Sequence, residues 1–404
     1  MKGRDAELDV SAARLADPAT FWGPGGRTIF NHPPRAVYVH VPFCRHRCGY
    51  CNFTLVARRD DLIPRYLTAI AREIEWLAGP SVVSTVYCGG GTPTQLDLPS
   101  LDQLLSALAD AFPLQAGGEW TVEANPADVT DELAELLRSR GVTRVSLGVQ
   151  SFQEPKLRLL ERDHTGREAV LAIERLARCG VQVAADLIFG LPGETLANWL
   201  DDLGRLAELP VNHVSTYGLT WEKGTSFWSR RQRGELVPID EGLECDLYLA
   251  AIDWLGERGW EPYEVSNFAR PGARSRHNQA YWRGESYWGL GPGAARYVAG
   301  CRAVHHRSTT TYLQRVLEGG LVDESSEVLT AAERARELLV FSLRMRDGVD
   351  LAEFADRTGW TVESLVGSVW QRYLDQGWLE LVDGHGRLTR RGLVISDALW
   401  PDLL

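Results

Sequence analysis

From Val37 onward, short apolar runs alternate with stretches of helical period. The runs are Val37–Val41, Val82–Cys88, Trp120–Glu123, Val142–Gln150, Val181–Phe189 and His213–Leu219. Each has the length and the aliphatic or β-branched content of a buried strand. Between them, Ile63–Leu77, Leu98–Phe112, Glu132–Leu137, Glu168–Ala177 and Trp199–Leu209 repeat apolar residues at three and four. That period gives a helix one buried face. Strand–helix units in regular succession predict parallel strands joined by right-handed crossovers.

Polar residues decide between a doubly wound sheet and a barrel. They stand at the C-terminal end of each run: cysteines after the first, Gly89-Gly90-Gly91 after the second, then Glu123, Gln150, Asp186 and Thr220. Chemistry gathered from many strand ends onto one mouth is the logic of a barrel. Six units rather than eight predict an incomplete (β/α)6 TIM-like barrel over residues 35–225, with a wide opening. Residues 1–34 read as a loop-rich lead-in, because Trp22-Gly-Pro-Gly-Gly and His32-Pro-Pro break any period.

Beyond the barrel the pattern loosens. Residues 226–327 read as an extension covering the barrel. They hold one helix (Cys245–Leu255), a stretch from Tyr263 to Tyr297 dense in Trp, Tyr, Gly and Asn, and polar segments at Ser308–Tyr312 and Asp323–Ser326. Residues 328–404 predict helices at Ala331–Met345, Leu351–Arg357 and Val362–Gln376. A hairpin of Trp378–Val382 and Arg387–Thr389 follows, around the turn Asp383-Gly-His-Gly386. Helix, helix, helix, hairpin is a winged-helix-like pattern. Its lack of basic character makes it a packing module with no nucleic-acid contact.

Composition narrows the partners. The formal net charge of −11 argues against general affinity for nucleic acid or anionic membrane. Seven cysteines, an odd number unevenly spaced, do not make a disulfide framework and fit a reducing compartment. Met1–Val10 is charged and lacks the apolar core of a signal peptide. No stretch approaches the roughly 18 apolar residues of a membrane span. The expectation is a soluble, cytoplasmic protein.

Three of the cysteines lie within Tyr38-Val-His-Val-Pro-Phe-Cys44-Arg-His-Arg-Cys48-Gly-Tyr-Cys51-Asn-Phe53. Three thiolates leave a metal centre one ligand short. A zinc knuckle would need a fourth, for which His40 or His46 stands near in sequence. Soft thiolates on a short loop suit an iron–sulfur cluster. His46 itself reads as a solvent-facing loop residue. Tyr87-Cys-Gly89-Gly90-Gly91-Thr92-Pro93-Thr94 supplies glycines through which backbone can approach a ligand. Glu123-Ala-Asn-Pro126, Gly148-Val-Gln150-Ser-Phe152, Arg162 and Asp186-Leu-Ile-Phe-Gly-Leu-Pro192 add polar groups. Asp186, inside an apolar strand, requires hydrogen-bonding or charged partners.

The spacing C-x3-C-x2-C resembles the signature of the radical S-adenosylmethionine (SAM) superfamily, and GGGTPT resembles the form found in its coproporphyrinogen-oxidase-like branch. The resemblance implies a [4Fe-4S] cluster on Cys44, Cys48 and Cys51 whose fourth iron is open to SAM, cleaved by an electron to a 5′-deoxyadenosyl radical. It implies one or two SAM molecules contacted by residues at Tyr38, Gly90, Glu123, Gln150, Arg162 and Asp186, with Tyr50, Gly91, Thr92 and Thr220 at further contact positions. Oxygen-independent coproporphyrinogen III oxidases carry a fourth cysteine where this chain has Phe53. That departure resembles the HemW-type haem chaperones, which are not expected to decarboxylate coproporphyrinogen. His277-Asn278-Gln279-Ala280-Tyr281-Trp282 is similar to the H-N-x-x-Y-W motif associated with haem binding in that group. The implied partners are haem as cargo, haem-acceptor proteins that include membrane-bound ones, and an electron donor where SAM is cleaved. The alternatives are a radical enzyme (a coproporphyrinogen oxidase or a two-SAM methyltransferase) and a zinc-stabilised barrel. Equally, His277 and Asn278 can be satisfied structural residues with Tyr281 and Trp282 in the core.

Overall fold

The computed structural model describes residues 34–77 and 81–404. The expected lead-in over residues 1–34 therefore lies almost wholly outside the described residues.

The six apolar runs form six parallel strands: β1 (Ala36–Val41), β2 (Val83–Gly90), β3 (Leu114–Ala124), β4 (Arg144–Gln150), β5 (Gln182–Phe189) and β6 (His213–Gly218). They lie side by side in chain order. Alternation along each strand separates two environments. Val37, Val39 and Val41 of β1, with Val86 and Cys88 of β2 and Val145, Leu147 and Val149 of β4, are fully buried against the crossover helices. Each such aliphatic side chain is worth roughly 1.5–3 kcal/mol of burial. The intervening residues, among them Tyr87, Glu123, Ser146 and Asp186, face the concave side.

The helices start where capping chemistry says they should. Asp97 accepts from Ser100 N at 2.8 Å to open Leu98–Ala111. Thr165 and Glu168 close a reciprocal capping box on Gly166–Arg178. A short helix at Glu154–Leu159 was not legible, having too few residues to show a period.

The extension is more ordered than its sequence suggested. It supplies β7 (Glu261–Pro262), β8 (Asn267–Ala269), β9 (Tyr287–Leu290), β10 (Ala295–Val298), β11 (Cys301–His305) and β12 (Asp323–Val328). All join the barrel sheet, giving 12 strands in the order β12-β11-β10-β9-β1-β2-β3-β4-β5-β6-β8-β7. β9 runs parallel to β1, while β8 is antiparallel to β6. The two ends of the sheet do not pair, so the barrel is open. The segment expected to be polar at Ser308–Tyr312 begins a helix, Thr309–Glu318, with Ser308 as its cap and Gly319 left-handed at its end. Its apolar stripe, Tyr312, Leu313 and Val316, is fully buried. Asp323–Ser326 belongs to the edge strand β12.

The C-terminal helices fall at Ala331–Arg344, Leu351–Thr358 and Val362–Asp375, followed by the hairpin β14 (Leu379–Val382) and β15 (His385–Leu388). Together with β13 (Val349–Asp350), this hairpin makes a three-stranded sheet. Val382 pairs with His385, so the hairpin turns on Asp383 and Gly384 alone, at φ 50° and 79°. Two positive φ values match the right-handed twist of the hairpin. Two further helices, Arg390–Val394 and Ser396–Leu403, complete the tail. Among the described residues, no helix is long and apolar enough to cross a membrane.

Candidate functional site

After β1, Pro42 ends the strand and the chain turns above the barrel mouth. Phe43–Cys44 pairs with Val56–Ala57, and Gly91 N and Thr92 N donate to Val41 O and Phe43 O at 2.8 Å each. The cysteine loop is thus hydrogen-bonded to the glycine loop. A Cβ on Gly91 would stand 2.8 Å from the backbone of Val41 and Phe43, and one on Gly89 2.7 Å from the Glu123 carboxylate. Only glycine permits these approaches.

Beneath the loop lies a chamber of about 1240 Å3. It is lined by Cys44, Cys48 and Cys51, by Tyr50, Gly90, Gly91 and Thr92, and by Glu123, Gln150, Arg162, Asp186 and Thr220. Of the residues implied by the resemblance, Asn278 also reaches the chamber, whereas Tyr38, Tyr281 and Trp282 line a different cavity and His277 lines neither. Tyr38 donates or accepts at His40 Nδ1 (3.0 Å). The sequence missed Thr121, Ser146 and Tyr217, which also line the chamber. Their signal is the two-residue alternation on β3, β4 and β6, which places them on the same face as Glu123, Gln150 and the strand ends.

Arg162 ties the mouth together. Its Nη2 donates to Gly148 O (3.0 Å) and Asn125 Oδ1 (3.2 Å), and its Nη1 lies 3.6 Å from Cys48 Sγ. Burial opposes its charge, but Tyr50 and Cys48 beside it raise its pKa. Glu123 accepts from Tyr87 OH (2.8 Å) and Gly90 N (2.9 Å). Burial pushes its pKa up to about 7, with those hydrogen bonds working the other way. Asp186 accepts from Ser146 Oγ at 3.2 Å, and burial raises its pKa to about 6. Gln150 holds φ at 63°, backbone strain of the kind found at ligand-contacting residues. The loop carrying it is stapled by Lys156, whose Nζ is buried between Glu194 and Asp202; Asp202 also accepts from Phe152 N at 2.8 Å.

The donor set suits a sulfur-ligated cluster. All three thiols are free. Burial raises the pKa of Cys44 to about 11, so the thiolate form calls for a neighbouring positive charge such as a metal's. His40 adds no ligand to a zinc set, since both its ring nitrogens are spent on Tyr38 and Thr54, while His46 Nε2 lies 3.7 Å from Cys48 Sγ. His46 is half-buried rather than solvent-facing, and its Nε2 bonds Glu161 O at 2.5 Å. Among the described residues, no group of three or more His, Cys, Asp or Glu is gathered for a single ion. Several polar atoms on the chamber wall, Thr121 Oγ1, Thr216 Oγ1, His213 Nδ1 and Arg162 Nε, are buried without a protein partner. Such orphans mark a cavity built around a polar ligand.

His277 is a strut. It is 1% exposed, its Nδ1 pairs with Thr85 Oγ1 (2.9 Å) and its Nε2 with Tyr281 OH (2.7 Å). Its ring stacks on Tyr87 at 5.0 Å. Burial lowers its pKa to about 3. In this arrangement neither nitrogen faces a cavity.

The family model described as Radical SAM superfamily matches residues 38–206, and that of the HemN C-terminal domain matches residues 329–395. A heme chaperone HemW of Lactococcus lactis is 36% identical over 377 residues, covering 92% of this chain and 97% of the relative. The HemW of Escherichia coli is 33% identical over 374 residues, covering 91% and 97%. The fold of the Escherichia coli coproporphyrinogen III oxidase HemN superposes with a TM-score of 0.81 at 23% identity, covering 92% of this chain and 90% of that one. On these grounds the chain belongs to the radical SAM superfamily and, within it, to the heme chaperone HemW family.

Proposed function

We propose that this protein is a haem chaperone: it binds haem and passes it to acceptor proteins, with a [4Fe-4S] cluster and SAM in the chamber. The observation that carries the chamber's part is convergence. Three cysteines from one loop and polar groups from the strand ends meet on one wall, although they lie far apart in sequence. In this reading Cys44, Cys48 and Cys51 hold three irons, and SAM takes the fourth. A cluster there supplies one-electron chemistry toward SAM.

The chain's own residues supply the rest. Glu123, fixed by Tyr87 and Gly90, receives an ammonium or a ribose hydroxyl. Arg162, fixed by Gly148 and Asn125, faces a carboxylate, which a guanidinium can grip. Asp186 and Gln150 take further hydroxyls, and Gly90, Gly91 and Thr92 offer close backbone. Tyr50 and Thr220 close the sides. The volume of about 1240 Å3 exceeds the upper end of ordinary small-molecule sites, roughly 1,000 Å3, which supports more than one occupant. Nothing in this reading needs nucleic acid, and we place the protein in the cytoplasm.

A second reading, a radical enzyme acting on coproporphyrinogen, keeps the same chamber. Phe53 argues against it: where the oxidases carry a fourth cysteine, this side chain is 62% exposed at the rim. The deciding experiment is anaerobic incubation of the reconstituted protein with SAM, a reductant and coproporphyrinogen III, beside a titration with haem. We expect stoichiometric haem binding and no decarboxylation. Conversion to protoporphyrinogen would overturn the chaperone reading.

A further inference from the structure

A second cavity, of about 640 Å3, lies on the concave face between β9–β10 and the Ala331–Arg344 helix. Its size falls within the roughly 300–1,000 Å3 of small-molecule sites. Its walls are aromatic and aliphatic: Tyr281, Trp282, Tyr287, Tyr297 and Phe341, with Leu338. Its charge is opposite in character to the chamber's. The chamber lining carries more carboxylates than guanidiniums, whereas Arg302, Arg334 and Arg357 border this cavity beside Glu285 and Glu337, with Arg302 ion-paired to Glu327 and Glu337. Flat apolar walls with cations at the edge fit a planar apolar ring bearing carboxylates. The chamber, acidic and polar, does not.

The lining narrows the choice of an iron ligand. It contains no histidine, cysteine or methionine. The hydroxyl of Tyr281 is taken by His277, and that of Tyr38 by His40. Tyr287 and Tyr297 remain. They are direct partners across β9 and β10, so both project to the same face, with ring centroids 6.5 Å apart. Among the described residues no hydrogen bond reaches either phenol oxygen. The two differ in their neighbours. Burial raises the pKa of both, that of Tyr297 to about 12, but Arg334, Arg302 and Arg357 all act to lower it at Tyr297, and only Arg302 does at Tyr287. A phenolate flanked by guanidiniums is a competent ligand for ferric haem, as tyrosine is in catalase.

We propose that the cavity between β9–β10 and the Ala331–Arg344 helix is the haem site, with Tyr297 as axial ligand and the propionates toward the edge that Arg334 and Arg357 border. It rests on the haem reading above. Ligation forms an O–Fe(III) bond and releases the phenolic proton to solvent, with no change of oxidation state. Tyr281 and Trp282 then serve as wall, and His277 holds that wall in place without touching iron.

The test is titration of the full-length protein with ferric haem, followed by visible absorption and electron paramagnetic resonance. The wild type should give a high-spin ferric phenolate spectrum. Tyr297→Phe should abolish that spectrum and weaken binding at least tenfold, while Tyr287→Phe keeps the spectrum. Blocking the cavity by Leu338→Trp should weaken binding in the same way without changing SAM affinity. A wild type that binds no haem overturns both the chaperone reading and this site. A wild type that binds haem with an imidazole or thiolate signature, or a Tyr297→Phe protein that keeps the phenolate signature, overturns the site and leaves the chaperone reading standing.

Discussion

The chamber and the second cavity share one sheet and are built on opposite chemistry. The chamber collects short polar side chains and thiols at the ends of parallel strands, and each group is fixed by hydrogen bonds: Glu123 by Tyr87 and Gly90, Arg162 by Gly148 and Asn125. The cavity collects large rings from short antiparallel strands and a helix, held by packing. Between them stands a row of rings: Tyr87 on His277 at 5.0 Å, His277 against Tyr281 at 4.8 Å, and Tyr281 against Tyr287 at 4.6 Å. The contrast teaches that the H-N-x-x-Y-W motif is a partition. Asn278 faces one compartment, Tyr281 and Trp282 the other, and His277 is the strut between.

The sharpest way to break this comparison is to empty the chamber of its thiols. Replacing Cys44, Cys48 and Cys51 together by serine should remove the brown cluster absorbance entirely. A surviving cluster would mean that other ligands hold it. Next in size is Lys156→Met. It leaves Glu194 and Asp202 buried without their cation and should cost about 3–5 kcal/mol in urea unfolding, with loss of SAM binding because the Gln150 loop loosens. A loss under about 1 kcal/mol would show that this staple does not hold the chamber.

Glu123→Gln should weaken SAM binding by about 1.5–3 kcal/mol, measured calorimetrically, as befits hydrogen bonds to a charged group. Haem affinity should stay within twofold if the compartments are independent. The smallest effect is that of pH. Glu123 and Asp186 have folded-state pKa values raised by burial to about 7 and about 6, above the unfolded carboxylate values. Their contribution to stability is therefore present at low pH and lost as pH rises through those values. The ligand-free thermal midpoint should fall on their account from about pH 4, the unfolded carboxylate range, to about pH 7, and level off above. An ammonium on Glu123 favours the ionised form, so SAM affinity should rise by up to about tenfold from pH 6 to 8. Stronger SAM binding at pH 6 would contradict the role given to Glu123.

The barrel and chamber were legible because β/α units confine function to one end of each strand. The motifs around Cys44, Gly90, Glu123, Gln150 and Asp186 sit where a period-two strand runs out, so sequence order alone predicts that they meet. The second cavity had no such signature. Its walls come from residues as distant as Tyr38, Tyr297, Phe341 and Leu404, and β9 and β10 are only four residues each, too short to display alternation. The Thr309–Glu318 helix was hidden by its own start, a run of Ser and Thr that caps a helix but reads as loop. His277 was offered both as ligand and as structural residue. Only its geometry, with Thr85 on one nitrogen and Tyr281 on the other, tells where its hydrogen bonds go.

The placement of β1 has a consequence for biosynthesis. Its neighbour β2 follows soon after, but its other neighbour, β9, begins at Tyr287. At ribosomal rates of about 5–20 residues per second, that strand emerges roughly 10–50 s later. Until then β1 is a bare edge, and the loop after it lacks the bonds that Arg307 later makes to Thr54 Oγ1 and Asn52 O. The growing chain thus passes through a window in which β1 is open on the flank that β9 later closes.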